Sequence, residues 1–410
     1  MANPKLALIP AAQGDKFYSA LPSNGDGDFD FTRASAATRI NKNGLIEAVQ
    51  SGISRLEYPL INGVVTGCPS HLLEPQRTNL LIYSNNFNTY WSLLGVGTGS
   101  APIVTGNNSI SPEGSLNASK VVLNTGAGTS TSDKSSIEVS IAVSQGSDYN
   151  ISVYLKGSNN GDKLMIGSVS GGYELITLTN KWDRYSINQT AASSPRSVFI
   201  GIRQGVFGAL NSNIEFEMYG FQLEQGSYVT SYVPTNGTTV TRSGETANNA
   251  GNADLFNDSE GVLVAELSSI KDSTDSNVLS VKSGSSDKFQ LFYFNGNEVR
   301  VNFIDNSGIV FSLISSINPY NSNKLLFKYK ANDFALWVNG FEAATNTTSN
   351  VVLSGLNNLS FDNGSGLSNF YGKTKELQYF NLASTDIELE KLTSWTSFVD
   401  MAQGQQYITI

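Results

Sequence analysis

The stretch Phe334-Ala-Leu-Trp-Val-Asn-Gly-Phe-Glu342 predicts a β-hairpin and indicates the fold class of the region around it. Apolar residues run up to Asn339-Gly340 and resume directly after it. An Asn-Gly pair between two such runs is a strong hairpin signal, because a type I′ turn needs positive φ at both central residues. Similar strand-length runs separated by turn residues continue in both directions, so we expect an all-β protein.

The composition favours strands and turns over helices along the whole chain. Its 410 residues include 38 Gly, 21 Phe, 17 Tyr and 4 Trp, and only 15% of them are charged. Aromatic residues are enriched in strands, whereas Gly, Asn and Ser are enriched in turns. The length suits two or three domains, at about 100–200 residues per domain.

Two series of strands are predicted. The first holds eight strands between Ser119 and Leu223, which suits a jelly-roll sandwich. Its last strand contains Ile214-Glu-Phe-Glu-Met-Tyr219, where apolar residues alternate with others, so we expect one core face and one wet face. The second series, from Gly261 to Phe380, predicts a second sandwich. The Gly/Ser/Asn-rich residues 95–111 are predicted to be a loop.

The C-terminal region carries the one helix that the sequence predicts. It begins at Thr385, with Glu388 completing a capping box, and one face is expected to carry Leu389, Leu392, Trp395 and Phe398. The resulting domain prediction is a β-rich module over 1–80, the first sandwich over 81–235, the second over 236–399 and a tail over 400–410. Pro234-Thr-Asn-Gly237 is the predicted linker between the sandwiches.

Charge and rare residues exclude several classes of function. The formal net charge of −9 repels polyphosphate and anionic surfaces, so we expect no nucleic-acid partner. No run of 18 or more apolar residues is present, and we therefore expect no membrane insertion and a soluble chain made in the cytoplasm. One Cys and one His leave little room for a disulfide framework or for imidazole chemistry.

Two short segments are weak candidates for metal sites. Asp26, Asp28 and Asp30 alternate as Ca²⁺ ligands do, but the Gly and Glu that complete an EF-hand loop are missing, so we predict no firm cofactor. Cys68-Pro-Ser-His71 lacks the further nitrogen or sulfur ligands that zinc needs. We expect Cys68 to be a small buried residue and His71 to be a surface or hydrogen-bonded one.

No catalytic constellation is predicted, and we expect a protein that is not an enzyme. Glycosidases need only a pair of carboxylates, which makes Glu215, Glu217 and Glu224 the residues to consider. Alternating Glu residues on a sandwich strand are usually the solvated face. These glutamates therefore give little support to the alternative of a polysaccharide-degrading hydrolase.

Five phrases of the sequence carry a family resemblance: Phe31-Thr-Arg33-Ala-Ser35, Ser54-Arg55-Leu-Glu-Tyr58, Glu74-Pro75-Gln-Arg77-Thr78-Asn79-Leu80, Tyr83-Ser-Asn-Asn-Phe87 and Gln222-Leu-Glu224-Gln-Gly226. The first three resemble the N-terminal module of bacteriophage tail-fibre and other virion structural proteins, over about the first fifth of the chain. The last two resemble phrases that bracket carbohydrate-binding-module-like sandwiches in such proteins. Residues 260–395 are more loosely similar to concanavalin-A-like (laminin-G type) lectin domains.

The resemblance implies a structural component of a tailed phage virion, commonly a homotrimer that contacts other virion proteins. It implies either a tail-fibre or receptor-binding protein that attaches to host-surface glycans, or a head-decoration, head-fibre or tail-knob protein without a ligand. Sugar binding requires aromatic platforms with nearby polar groups. The candidate platforms are Trp91, Trp182 and Tyr185 in the first sandwich and Trp337 in the second. The alternative interpretation is that these aromatic residues belong to the core.

Overall fold

The computed structural model describes residues 3–405 apart from residues 11, 14–15, 62, 169–171, 271–276 and 285–287. These residues form strands, with two short helices near the C-terminus, which confirms the predicted all-β class. The strands build two sandwiches and several small sheets. Neither helix in the described part of the chain is long and apolar enough to cross a membrane.

The first 80 residues contain only short strands. They are β1 Leu6–Leu8, β2 Ala12–Gln13, β3 Lys16–Phe17, β4 Phe29–Thr32, β5 Ala37–Ile40, β6 Ile46–Val49, β7 Arg55–Glu57, β8 Leu60–Ile61, β9 Val64–Val65, β10 Ser70–Leu73 and β11 Arg77–Asn79.

The first sandwich has the predicted jelly-roll topology. One sheet runs β13-β14-β21-β16-β19 and the other runs β12-β15-β20-β17-β18, so the last eight strands are arranged as two interlocked Greek keys. Alternate apolar residues of both sheets, such as Val121, Ile151 and Phe216, are fully buried between them. The strands are β12 Ser92–Val96, β13 Ser100–Ile110, β14 Leu116–Asn124, β15 Lys134–Ile141, β16 Asp148–Gly157, β17 Lys163–Ser168, β18 Gly172–Thr177, β19 Asp183–Thr190, β20 Arg196–Arg203 and β21 Asn213–Gln225.

Two details of this sandwich differ from the prediction. The predicted loop over residues 95–111 is wrong, because most of it lies in β12 and β13. β13 is an edge strand whose backbone pairs with β14 while most of its polar side chains remain exposed, so its composition resembles a loop. Tyr219, expected on the wet face, is buried.

The second sandwich packs an eight-stranded sheet on a five-stranded one. The sheets run β31-β30-β29-β24-β33-β10-β7, with β1 also on β33, and β28-β27-β26-β25-β32. Its assignment to the concanavalin-A-like class stays a prediction. The strands from here on are β22 Val240–Arg242, β23 Thr246–Asn248, β24 Glu260–Ser269, β25 Asn277–Ser283, β26 Lys288–Phe294, β27 Glu298–Asp305, β28 Gly308–Ser316, β29 Asn323–Lys330, β30 Phe334–Val338, β31 Phe341–Asn346, β32 Leu356–Ser360 and β33 Gly372–Phe380.

Strands from the first 80 residues complete the second sandwich. β1 pairs with residues 377–379 of β33, and β10 pairs with residues 372–374 of the same strand. β4 likewise pairs with β23. The predicted domain boundaries stay predictions, but the N-terminal segment shares a sheet with a strand about 300 residues further along the chain.

The hairpin prediction is confirmed. β30 and β31 pair on either side of Asn339 and Gly340, whose φ angles are 52° and 91°. Both angles are positive, as a type I′ turn requires.

The C-terminal helix prediction is partly wrong. α1 spans Asp386–Thr393 with the predicted capping box at Thr385, and Leu389 is buried on β29 and β30. The helix ends at Ser394, where the backbone is extended, and α2 then spans Phe398–Gly404 with Ser397 as its N-cap. Phe398 is therefore exposed instead of lying on the buried face, and residues 400–404 of the predicted tail are helical.

Candidate functional site

A polar cleft of about 750 Å³ lies beside strands β13, β14 and β21 of the jelly-roll sandwich. It is open to solvent, and asparagine is its most frequent lining residue. Its walls come from residues 83–88, 106–107, 113–119 and 234–236, together with Tyr219 of β21. These segments are distant in sequence, and the cleft exists only because the fold assembles them.

The floor of the cleft is set by a bulge in β21. Gly220 adopts φ 65°, and the register with β16 shifts beside it, so that Phe221 points into the core in place of the next even-numbered residue. Asn85 anchors the neighbouring loop to this bulge, because its Oδ1 accepts from the Gly220 amide at 2.6 Å. Its Nδ2 donates to the Tyr232 hydroxyl at 3.0 Å.

A second bulge, in β13, forms the rim. The pairing of β13 with β14 is irregular between Thr105 and Ser109, and Asn107 there adopts φ 52°. Bulges re-aim side chains at binding sites. The exposed Asn107 side chain is held at the rim in this way.

Glu113 and Asn117 form the acceptor side of the cleft. Asn117 Nδ2 donates to Glu113 Oε2 at 3.1 Å, and Tyr219 is hydrogen-bonded to the same carboxylate. Burial, together with the neighbouring Tyr232, raises the pKa of Tyr219, so its phenol stays protonated. Asn117 Oδ1 is buried and has no hydrogen-bond partner among the described residues.

Of the described aromatic residues that line the cleft, Tyr83 is half-buried, whereas Phe87 and Tyr219 are buried. The Tyr83 ring is tilted against Tyr90 at a centroid distance of 6.1 Å. Asn236 forms a backbone bridge with Tyr83, and Thr235 is fixed by its hydroxyl, which donates to Leu81 O at 2.6 Å. The predicted linker at 234–237 is thus a wall of the cleft, tied to the 81–83 segment.

A buried ionic junction lies where the N-terminal segment meets residues 231–245. Arg55 donates from Nε to Glu245 Oε1 at 2.9 Å and from Nη2 to Glu74 Oε2 at 2.8 Å. Arg33 binds Glu245 at 2.8 Å, and Arg242 binds Glu74 at 2.6 Å. All five side chains are at most 4% exposed.

The electrostatics of this junction favour the ionised forms of Glu74 and Arg55. Burial alone would raise the pKa of Glu74, but Arg242 and Arg55 outweigh it and hold the pKa well below its usual range. Burial would lower the pKa of Arg55, and Glu245 and Glu74 outweigh it in turn. Arg33, Arg55 and Glu74 belong to the phrases that carry the phage resemblance. In the structure these three residues form the buried junction and do not line the cleft.

The predicted aromatic platforms do not line the cleft. Trp91 is 5% exposed, packs on Phe221 at 4.8 Å between centroids, and donates to Tyr83 O. Trp337 is 6% exposed and lies in the small core beneath α1. Neither ring offers a face to a ligand, because both bury their large apolar area in the cores.

Trp182 and Tyr185 are half-buried on opposite faces of the strand that follows the 178–182 turn. Trp182 donates to Ile110 O at 3.0 Å and packs with Ile40 against the tyrosine cluster on the outer face. Tyr185 packs against the sandwich core and donates to Thr177 O at 3.0 Å; burial raises its pKa. The two rings therefore do not form one platform.

The predicted calcium ligands are held separately. Asp28 accepts from the Ser19 amide, Asp26 from Asn24, and Asp30 from Asn249. No group of three or more His, Cys, Asp or Glu residues suited to a metal ion occurs in the described part of the chain.

The expectation that Cys68 is buried is wrong, and of the two alternatives for His71 the surface position is excluded. Cys68 is exposed in the turn that precedes β10. His71 is fully buried, because β10 lies between β33 and β7 and all four of its residues are covered.

The three candidate carboxylates of a hydrolase are not brought together in the cleft. Glu215 and Glu217 form ion pairs with Lys120 and Lys156 on the outer face of the sheet, at 2.8 and 3.0 Å. Glu224 is fully buried and accepts from Thr230.

The sequence matches no family model and no curated protein. Among solved structures, the Ruminococcus gnavus IT-sialidase CBM40 bound to α2,3-sialyllactose aligns with a TM-score of 0.31 at 18% identity, over 36% of this chain and 94% of that chain. Domain 4 of AbnA, a GH43 arabinanase from Geobacillus stearothermophilus in complex with arabinotriose, gives 0.31 at 13%, over 37% and 73%. The Trypanosoma rangeli sialidase in complex with the inhibitor DANA gives 0.32 at 10%, over 95% and 84%. Similarity at this level is too low to indicate what this chain binds.

Sequence reasoning missed the cleft residues Tyr83, Asn107, Glu113 and Asn117. The available signal was the density of asparagine in Tyr83-Ser-Asn-Asn-Phe87, which lies in a phrase already singled out by the resemblance. Nothing in the sequence alone shows that this phrase meets residues 106–119.

Proposed function

We propose that the chain is a glycan-binding component of a bacteriophage particle, a tail-fibre or receptor-binding protein, and that the cleft beside Tyr83 holds the sugar. The observation that carries the proposal is the cleft itself, in which the half-buried ring of Tyr83 lies among asparagine amides and a carboxylate. Pyranose rings present C–H faces that pack on aromatic rings, and their hydroxyls hydrogen-bond to amides and carboxylates. An open groove also admits one residue of a longer polymer.

The phage part of the proposal is supported by the resemblance of residues 31–80. The junction is compatible with it, because Arg33, Arg55 and Glu74 connect the N-terminal segment to Glu245 and Arg242 through buried ion pairs. Such a connection holds a binding sandwich rigidly on the part that carries it. A homotrimer would place several clefts on one particle and convert weak single-site binding into firm attachment by avidity.

The proposal predicts that Tyr83→Ala weakens sugar binding. Removal of the ring deletes the packing surface, and we expect roughly tenfold weaker binding, or about 1.4 kcal/mol. The measurement is binding of the purified chain to a glycan array and to host cells, followed by titration of the best-bound oligosaccharide.

A second variant tests the cleft without disturbing the core. Asn107→Gly keeps the positive φ and removes the amide, so we expect severalfold weaker binding, about one hydrogen bond. Asn332→Gly is the matched control, since Asn332 also has positive φ (61°) but lies in a turn of the second sandwich. Equal affinity of the native protein, Asn107→Gly and Asn332→Gly for the sugar would exclude the cleft as the binding site.

A ligand-free structural role, as a head-decoration, head-fibre or tail-knob protein, is the second candidate. It is favoured by the extent to which the N-terminal strands and the junction unite the segments of the chain. The same array separates the two, because a correctly assembled protein that binds no glycan and no host cell fits the structural role alone.

A further inference from the structure

The charge of the cleft restricts the class of sugar that it accepts. Among the described residues that line it, Glu113 is the one charged side chain, and none is Lys or Arg. Two lysines lie on the sheet beside the cleft, Lys120 on β14 and Lys156 on β16. They form ion pairs with Glu215 and Glu217. An anionic ligand would therefore meet a carboxylate and no compensating cation.

The hydrogen-bonding groups of the cleft also favour a neutral ligand that can donate hydrogen bonds. A carboxylate offers about four acceptor positions, and Glu113 receives donors from Asn117 and Tyr219. Glu113 is only partly buried, so its remaining acceptor positions are open to donors from a ligand. A ligand that supplies O–H groups there forms hydrogen bonds to a charged acceptor, which are stronger than those between neutral groups.

We infer that the cleft selects neutral, hydroxyl-rich saccharides and rejects those that place a sialic or uronic acid carboxylate in it. This inference rests on the proposed function. A sugar hydroxyl donates to Glu113, whereas a carboxylate is an acceptor facing an acceptor and is repelled by the Glu113 charge.

The test compares paired oligosaccharides. The probes are neutral hexose and N-acetylhexosamine oligosaccharides and the same molecules with a terminal sialic acid or a C6-oxidised (uronic) residue. We expect the native chain to bind the neutral member of the best pair at least tenfold more tightly. We also expect its Kd to change less than twofold between 50 and 500 mM NaCl, because no ion pair with the ligand is formed.

Glu113→Gln identifies the source of the discrimination. This variant removes the charge and keeps the shape, so the preference for the neutral sugar should fall at least threefold, with thermal unfolding used to confirm that the protein is folded. Glu215→Gln, on the same face but outside the cleft, should leave the preference unchanged.

The outcomes distinguish this inference from the function on which it rests. Equal or tighter binding of the acidic member, weakened roughly tenfold by Tyr83→Ala, would overturn the inference and leave glycan binding at the cleft intact. An unchanged preference in Glu113→Gln would also overturn it. Absence of binding to every oligosaccharide by the assembled protein would overturn the proposed function as well.

Discussion

At the scale of single residues, the same side-chain type has different roles according to burial. Glu245 is fully buried and binds Arg33 and Arg55, whereas Glu47 is 42% exposed and binds Arg39 at 3.2 Å. An exposed pair contributes about 0–1 kcal/mol, since water competes for both charges. Removal of one member of a buried pair leaves its partners desolvated without compensation.

These two pairs provide a matched stability test. Glu245→Gln leaves three buried guanidinium groups with the single carboxylate of Glu74, and we expect a loss of about 3–5 kcal/mol in the free energy of unfolding. Glu47→Gln should cost less than about 1 kcal/mol. Urea denaturation measures both, and similar small losses in the two variants would show that the junction is not a major source of stability.

At the scale of elements, local signals were sufficient for hairpins and core strands. Asn339-Gly340 has few backbone alternatives, and the alternating residues of β21 specify which face is buried as far as Met218. Both strand series were therefore predictable. Edge strand β13 was missed because it has no apolar pattern of its own. It is a strand because its backbone pairs with β14.

Other elements depend on tertiary context that the sequence does not display. The helical periodicity over residues 385–398 continues through Ser394, but the chain turns there and begins α2 at a new N-cap. The sequence is compatible with Trp91 and Trp337 as sugar-binding platforms or as core residues. Their burial in the structure shows that both are core residues. The cleft was not predictable, because residues 83–88 and 106–119 meet only after the two sheets have formed.

At the scale of the whole molecule, the junction makes stability depend on pH. Arg242 and Arg55 hold the pKa of Glu74 below its value in the unfolded chain, against the effect of burial. The unfolded state then binds more protons in acid, so the contribution of Glu74 is complete above about pH 4.5 and decreases as the pH falls towards its native pKa. Glu57 acts in the opposite sense, since burial raises its pKa.

We therefore expect the urea midpoint of the native chain to decrease more steeply between pH 5 and pH 3 than that of Glu74→Gln, measured relative to each protein at pH 7. Glu57 is present in both proteins, and because burial is the main cause of its raised pKa and the Glu74 charge a minor one, most of its opposing effect cancels in the comparison. A variant with the same or a steeper acid dependence would contradict the assignment of Glu74 as an ionised buried group.

The location of a bound sugar tests the central claim most directly. The measurement is a crystal structure of the full chain with the tightest oligosaccharide from the array. We predict a pyranose ring against the Tyr83 side chain, with at least one of its hydroxyls donating to Glu113. A sugar bound on the second sandwich, or anywhere outside this cleft, would contradict the account.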